Sequence, residues 1–279
     1  MSCRYLLAVL PFVLLTISGS AAADHESLQS AVREADSVDE AVARITEALE
    51  DQGFEIPLVV NHAAAADSVG LSLRPTQVVF ARPPRHLERH LLRRAASIGI
   101  DLPVKFLVFE DESGEIQLRS NGIGYLIDRH DLFVFDPALW HLRSVSEQFG
   151  DPKEGLITLR SQRSISETVD ALREAISSNA AFRIPLVLEY SGRRHSESVL
   201  IVFGNPNAGT PLMQATQEVA LDLPQKFLVW KRQGEVFITY NDPFFVGSRH
   251  NVQGQDMRLG AIATALANFA RAGAGTSDN

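Results

Sequence analysis

The sequence predicts an α+β protein made of two tandem copies of one compact layer domain, an antiparallel-rich sheet with helices packed on it. Residues 102–109 (LPVKFLVF) recur as residues 223–230 (LPQKFLVW), with six of the eight positions identical. Other short motifs surround both strings in the same order. The paired residues are Ser37 with Ser164, Pro57 with Pro185, and His130 with His250. Self-similarity over this length indicates a duplicated domain.

Each copy is expected to begin with an amphipathic helix. Ser37 is followed three residues later by Glu40, and Ser164 by Glu167, which is the capping-box pattern of a helix start. Apolar residues then recur with a helical period, so one face of each helix should be buried. These residues are Val38, Val42, Ile45 and Leu49 in the first copy, and Ile165, Val169, Leu172 and Ile176 in the second.

The strands are predicted from alternating apolar residues and from turn glycines. Strands that begin near Pro57 and Pro185 should lie at sheet edges, because proline cannot donate to the ladder. Each copy should close with a hairpin, turning through Gly114 in the first and Gly234 in the second. The expected strands include 76–80, 105–110 and 115–119 in the first copy and 155–160, 199–203, 226–230 and 235–240 in the second, followed by a helix at 256–270.

The first residues are predicted to be an export signal. Arg4 precedes an apolar run of roughly 13 residues, too short for a membrane span of about 20, and small residues end at Ala23 before Asp24. An uncleaved anchor is the alternative. We expect no transmembrane span and a periplasmic or secreted protein. The predicted segments are a signal peptide at 1–23, a first repeat at 24–149, a second at 150–255, and a C-terminal helix with a polar tail at 256–279.

Composition excludes several classes of protein. The single cysteine, Cys3, lies in the predicted signal peptide, so the exported chain has no thiol for disulfides, cysteine-ligated metals or covalent haem. The formal net charge is −8, and no base-reading motif is present, which argues against nucleic acid as a partner.

Several strings resemble the domain-of-unknown-function family 302. In the second copy they are GLIT at 155–158, FGNPNAGTPLMQ at 203–214 and YNDP at 240–243. In the first copy they are NHAAAA at 61–66 and GLSLRPT at 70–76. The resemblance implies a compact α+β domain that occurs alone or in tandem. It implies no reaction, because none is assigned to the family.

The two copies have lost different parts of this pattern. The first copy lacks the glycine loop and reads ARPPRH at 81–86, whereas the second keeps the loop but reads EYSGRRH at 189–195 in place of the histidine and alanine stretch. Two interpretations follow. Either the retained halves meet in an intramolecular pseudo-dimer, as two-fold pairing of such domains would allow, or the protein has become a scaffold.

The glycine loop is the candidate ligand site. We expect a strand to run into a turn at 204–209, with Thr210 as the N-cap of a helix and Pro211 as its first residue. Free amides at such a turn bind anions, although glycine and asparagine also serve merely to turn a chain. His62 and Arg74 of the first copy would complete a shared site. The candidate ligand-binding residues are Gly204, Asn205, Gly209, Thr210, His62 and Arg74.

The histidines carry weaker signals. His62 is expected in an exposed loop, as a general base, a metal ligand or ordinary surface. His130 and His250 each follow an arginine, which favours a shared structural contact. His86 and His90 are four residues apart on a predicted helix, but arginines surround them, so no metal site is predicted there. Arg89 and Arg93 on that helix indicate a solvated face or a dock for an acidic partner or anionic lipid.

The sequence therefore favours an exported, non-catalytic binding or accessory protein for a small anionic ligand or a protein partner. It identifies no cofactor. One alternative is an enzyme of hydrolase or isomerase type that uses His62 beside an anion pocket shared by the copies. No Ser-His-Asp order, nucleophile elbow or close carboxylate pair supports it. Another is a haem or metal carrier that uses His62, His130 or His250.

Overall fold

The structure is a computed structural model that describes residues 25–132, 142, 155–190 and 197–276. The predicted signal peptide lies outside the described residues, as do residues 150–154 at the start of the predicted second repeat. The elements of the first copy are α1 (His25–Arg33), α2 (Val38–Asp51), β1 (Glu55–Asn61), α3 (His62–Asp67), β2 (Thr76–Arg82), α4 (Arg85–Arg94), a 3₁₀ helix (Ala96–Ile100), β3 (Val104–Glu110), β4 (Ile116–Ser120) and α5 (Ile123–His130).

The second copy repeats this order with small differences. Its elements are β5 (Leu156–Ser161), α6 (Ile165–Ser177), β6 (Arg183–Tyr190), β7 (Ser198–Gly204), α7 (Pro206–Ala215), a 3₁₀ helix (Gln217–Asp222), β8 (Gln225–Arg232), β9 (Glu235–Asn241), α8 (Pro243–Arg249) and α9 (Asp256–Ala274). The predicted α+β class is therefore confirmed, and both hairpins form where the repeated string predicts them.

Each copy contributes one antiparallel sheet. The strand order is β1-β2-β3-β4 in the first and β5-β9-β8-β7-β6 in the second. The proline-containing strands β1 and β6 both lie at an edge, as predicted. Pairing is irregular between Glu55 and Leu58 and between Arg183 and Leu186, the two places where proline removes a donor.

The helix starts follow the predicted caps with one difference. In α6 the Ser164 hydroxyl accepts from the Glu167 amide while the Glu167 carboxylate accepts from the Ser164 amide, which is a complete capping box. In α2 the Ser37 hydroxyl accepts from the Glu40 amide, but the Glu40 carboxylate accepts from the Asp36 amide at 3.0 Å instead.

A hydrophobic core joins the two copies. One cluster of buried side chains contains Phe106 and Leu107 of β3 together with Leu200 of β7 and Leu228 of β8. A second cluster packs α6 and α9 against the second sheet. The two copies therefore share part of one hydrophobic core, which agrees with an intramolecular pair of domains more than with two separately packed domains.

A reciprocal ionic cluster also crosses the interface. A buried aspartate lies at the end of each 3₁₀ helix and faces a lysine of the other copy. Asp101 directly follows the first helix, and Asp222 is the last residue of the second. The Lys105 Nζ lies 3.3 Å from the Asp222 Oδ1, and the Lys226 Nζ lies 3.8 Å from the Asp101 Oδ1. Both lysines occupy the equivalent strands β3 and β8. The same contact is made twice, as two-fold pairing of equivalent patches requires.

Arginine and histidine from each copy complete this cluster. The His130 Nε2 lies 2.8 Å from the Asp101 carboxylate, and the His250 Nε2 lies 2.7 Å from that of Asp222. Burial alone would raise the pKa of Asp222, but the Arg249 guanidinium, Lys105 and the His250 hydrogen bond hold it well below its usual value. The guanidinium groups of Arg129 and Arg249 also donate hydrogen bonds across the interface. Arg129 donates to the Asn241 Oδ1 and Arg249 to the Asn121 Oδ1, at 2.6 Å each.

Candidate functional site

A cavity of about 600 Å³ lies between the two copies. The first copy contributes β1 and α3, and the second contributes the start of β6, the end of β7, α7 and α9. Most of the wall is apolar. The larger apolar side chains on it are those of Leu58, Val60, Phe182, Met213, Leu223, Ile262 and Leu266. The volume is that of a typical small-molecule pocket, about 300–1,000 Å³.

His62 reaches this cavity from the start of α3. The Asn61 side chain caps the helix by accepting from the Ala64 amide at 2.8 Å. The expectation of an exposed loop is wrong, because residues 63–66 are helical alanines and the turn packs against the core. Only 6% of the His62 surface is exposed. The stretch of alanines, which have the highest helix propensity, was the available signal.

The His62 imidazole is neutral at physiological pH. Burial lowers its pKa to about 4, the backbone hydrogen bond with Leu223 opposes this in part, and the nearby Lys105 charge lowers it further. Its Nε2 atom is buried and has no hydrogen-bond partner among the described residues. A buried polar atom without a partner is uncommon in native structures, and this one belongs to a side chain that lines the cavity.

The glycine stretch forms another part of the wall, but it is helix rather than loop. Helix α7 begins at Pro206 with Asn205 as its N-cap, so Thr210 is an interior residue and the predicted cap at Thr210 is wrong. The Asn207 amide donates to the Asn205 side chain, and the amides of Ala208 and Gly209 donate to the Asn205 carbonyl. These amides are therefore engaged within the helix, and the expected anion-binding turn is not formed.

All four candidate residues of this stretch nonetheless line the cavity. They are Gly204, Asn205, Gly209 and Thr210. A Cβ on Gly209 would lie 3.5 Å from the Leu223 Cδ1, and one on Gly204 would lie 3.3 Å from the Pro224 Cβ, so the glycines keep this wall thin. The Thr210 Oγ1 is buried without a hydrogen-bond partner in the described part of the chain. The structure thus brings His62 and the glycine stretch together.

Two arginines also line the cavity, and the sequence analysis missed both. Arg183 starts β6 and is exposed, whereas Arg258 lies in the first turn of α9 and is half-buried. Arg183 donates to the carbonyls of Ala180 and Phe182, and Arg258 donates to Gln255 and to the Asn207 carbonyl. Over the described ranges, neither guanidinium has a carboxylate partner, and no aspartate or glutamate lines the cavity.

Arg74 lies elsewhere. Its guanidinium donates to the Gln217 side chain at 2.9 and 3.1 Å, which joins the first copy to the second 3₁₀ helix. It also lies 3.8 Å from the Glu112 carboxylate. Arg74 is not among the residues that line the cavity, so the prediction of a shared site with Arg74 is corrected: this residue holds the interface.

His86, His90, His130 and His250 are not among the described residues that line the cavity. His130 and His250 are buried and hydrogen-bonded to Asp101 and Asp222, which is the shared structural contact that the repeat indicated, with a carboxylate as the partner. His86 and His90 lie on α4, as predicted. Among the residues that the structure describes, no group of three histidine, cysteine, aspartate or glutamate side chains is placed to hold a metal ion.

At the pseudo-symmetric counterpart of the cavity, the described residues equivalent to His62, Gly204 and Gly209 are larger side chains with partners of their own. Arg82 ends β2 as Gly204 ends β7, and Glu88 is the fourth residue of α4 as Gly209 is of α7. Tyr190 stands five residues after Pro185 as His62 stands five after Pro57. Arg82 pairs with Glu88 at 2.6 Å, and the buried Tyr190 hydroxyl donates to the carbonyls of Gly99 and Leu102.

Comparison with known families fits this duplicated architecture. A family model described as "Domain of unknown function DUF302" matches residues 29–147 and 157–270. The chain belongs to the DUF302 family. Its second DUF302 copy extends through most of α9, so this helix, which lines the cavity, is part of the matched region.

Two curated relatives match one region of comparable size. "Fluoride-specific ion channel FluC 1" of Brucella suis is 31% identical over 128 residues, which cover 43% of this chain and 50% of that protein. "Fluoride-specific ion channel FluC 2" of Brucella melitensis is 31% identical over the same length, covering 43% and 47%. The chain spans about half the length of these relatives. No helix within the described ranges combines the length and apolar character needed to cross a bilayer.

A solved DUF302 structure is also similar. It is the "Crystal structure of uncharacterized conserved protein DUF302 from Bacillus stearothermophilus", with a TM-score of 0.39 and 16% sequence identity. The alignment covers 43% of this chain and 98% of that one.

Proposed function

We propose that this tandem DUF302 protein is an exported binding protein that holds a small molecule in the cavity between its two copies. The observation that carries the proposal is the convergence of His62 with Gly204, Gly209 and Thr210 on one cavity of about 600 Å³. These residues come from the parts of the pattern that each copy kept. The unpartnered His62 Nε2 and Thr210 Oγ1 support a bound molecule.

The proposed role is binding without catalysis. His62 is the only side chain with an acid–base function among the described lining residues, apart from the two arginines, which stay protonated. General acid–base catalysis at a carbonyl or phosphoryl centre usually needs a second group that supplies or accepts the proton. The shape and polarity of the wall therefore favour a ligand carrier or sensor over a hydrolase or isomerase.

A neutral apolar dye tests the binding role without assuming a charge on the ligand. N-phenylnaphthylamine should bind the exported chain with one site per molecule and gain fluorescence in the apolar cavity. Ala261 and Thr264 are both exposed on α9, but only Ala261 lines the cavity. Ala261→Trp should weaken dye binding at least about tenfold, and Thr264→Trp should leave it unchanged. Equal behaviour of the two variants, or no saturable binding, would refute the proposal.

Export is the second part of the proposal, and it rests on the residues before Asp24. Arg4, the apolar run and the small residues up to Ala23 are typical of a cleaved secretory signal. N-terminal sequencing of the periplasmic or secreted protein should therefore begin within a few residues of Asp24. An intact Met1 on a protein retained in the cytoplasm would contradict export and leave the binding role to be judged by the dye.

A further inference from the structure

We infer that the ligand of the shared cavity is an amphipathic anion, with an apolar body inside the cavity and a carboxylate-type head group at Arg183 and Arg258. The inference rests on the proposed function, since it names the class of molecule that the same cavity takes. It moves the anion contact from the glycine stretch, where the sequence placed it, to the two arginines.

The apolar body follows from the wall. The side chains of Leu58, Val60, Phe182, Met213 and Ile262 all line the space. Each methylene that such a wall removes from water should strengthen binding about fourfold. A cavity of about 600 Å³ accommodates an alkyl chain or a fused ring system.

The negative head group follows from unbalanced positive charge on the wall. Arg183 and Arg258 line the cavity, no acidic residue does, and neither arginine pairs with a carboxylate in the described part of the chain. Two arginines away from the cavity are paired with carboxylates, Arg82 with Glu88 and Arg249 with Asp222. In a chain of net charge −8, two unbalanced guanidinium groups at one cavity are a local preference for an anion.

The part of the cavity wall formed by His62 and Thr210 carries no charge. His62 is neutral because its pKa is about 4, and its one N–H is engaged with the Leu223 backbone, so its Nε2 offers an acceptor and no charge. The first amides of α7 are engaged by Asn205 and cannot coordinate an anion. The charged end of the ligand therefore lies at the arginines, and the end near His62 and Thr210 is apolar or neutral.

Three ligands with the same alkyl chain and different head groups separate these features. Decanoate, decanol and decylammonium would each be titrated against the dye-loaded full exported chain below their aggregation concentrations. Decanoate should displace the dye with an affinity about tenfold higher than decanol, and decylammonium should bind most weakly. Arg183→Gln and Arg258→Gln should each weaken decanoate about fourfold and leave decanol unchanged.

The control is Arg173→Gln, an exposed residue of α6 outside the cavity, which removes the same charge and should change neither affinity. If decanol binds as well as decanoate, or if the two cavity arginine variants behave like Arg173→Gln, the anionic ligand class is wrong while the cavity remains a binding site. If the dye itself does not bind, the proposed function fails, and the ligand class fails with it. Circular dichroism of each variant confirms that it is folded.

Discussion

The open cavity and its counterpart, called the filled site because its larger side chains have partners of their own, occupy equivalent places in the two halves of the molecule. Three of their differences are in the size of a side chain. Gly204, Gly209 and His62 border the open one, and the equivalent positions in the other hold Arg82, Glu88 and Tyr190. The filled site has its own ion pair and its own hydrogen bonds to backbone carbonyls. At the open site, the His62 Nε2 and the Thr210 Oγ1 have no hydrogen-bond partner among the described residues.

The difference between the open and the filled site shows how a duplicated domain can keep one site and lose the other. Once two copies pair within one chain, each cavity is built from parts of both. Loss of the glycine stretch in the first copy and of the histidine in the second therefore falls on the same cavity. The other cavity retains both features, so the complementary losses seen in the sequence leave one site intact rather than none.

The largest loss of unfolding free energy is expected at the interface aspartates, whose contacts are equivalent in the two halves of the molecule. Asp101→Ala and Asp222→Ala each leave a buried arginine and histidine without their carboxylate, and each should cost about 3–5 kcal/mol of unfolding free energy. The two costs should agree within about 1 kcal/mol, because the contacts are reciprocal. Urea denaturation measures both.

Asp128→Ala, at an exposed position of α5, is the control and should change stability little. A cost for one interface aspartate and none for the other would show that the two halves are not energetically equivalent. The open and filled sites would then lose their common reference.

Truncation of Tyr190 in the filled site and of His62 in the open site should cost unequal amounts of unfolding free energy. Tyr190→Ala removes a buried ring and two hydrogen bonds, and should cost about 3–5 kcal/mol. His62→Ala removes a smaller side chain that borders the cavity and makes a backbone hydrogen bond with Leu223, so it should cost less, about 1–3 kcal/mol. Equal costs in denaturant unfolding would mean that the His62 side is as tightly packed as the Tyr190 side.

The pH dependence of stability should distinguish the open site through His62. The pKa of His62 is about 4 when folded and near 6.5 when unfolded, so the unfolded chain binds the proton first as pH falls. The His62 contribution is therefore fully present above pH 6.5 and is lost as pH falls towards 4. The loss is on the order of 3 kcal/mol.

Unfolding free energies between pH 4 and 7 test this against two variants. His62→Gln should lack this part of the pH dependence, and His86→Gln, at an exposed position of α4, should retain it. Parallel curves for the native chain and His62→Gln would contradict the buried, neutral state of His62.

The smallest effect expected is on ligand binding alone. Gly209→Val and His62→Ala should both weaken binding of the same dye, each by up to about tenfold, because both residues line one cavity. Gly209 has no positive φ, so valine there fills space without forcing the backbone. Gly260→Val, on α9 outside the cavity, is the matched control. If each cavity variant affected a different ligand, the two walls would belong to separate sites.

Local signals in the sequence were enough for much of the fold. The hairpin turns at Gly114 and Gly234, the edge strands at Pro57 and Pro185, and the cap at Ser164 all depend on nearest neighbours in the chain. The error at α7 was also local. Asn205-Pro206 fits the first residues of a helix as well as Thr210-Pro211 does, and the sequence offers no means of choosing between the two.

The contacts that define the site depend on tertiary placement and had no local signal. The pairing of Arg82 with Glu88 and of Arg74 with Gln217, and the approach of Arg258 to the cavity, join residues whose spacing carries no motif. The meeting of His62 with the glycine stretch was predicted only because the two copies were compared with each other. Duplication thus supplied long-range information that a single domain would not have held.

The most direct test of a ligand site shared by the two copies is a crystal structure of the exported chain soaked with decanoate. We expect continuous density for one alkyl chain within about 4 Å of both His62 and Gly209, with its carboxylate towards Arg183 and Arg258. Density for decanoate only on the outer surface, with the cavity holding water alone, would contradict this expectation.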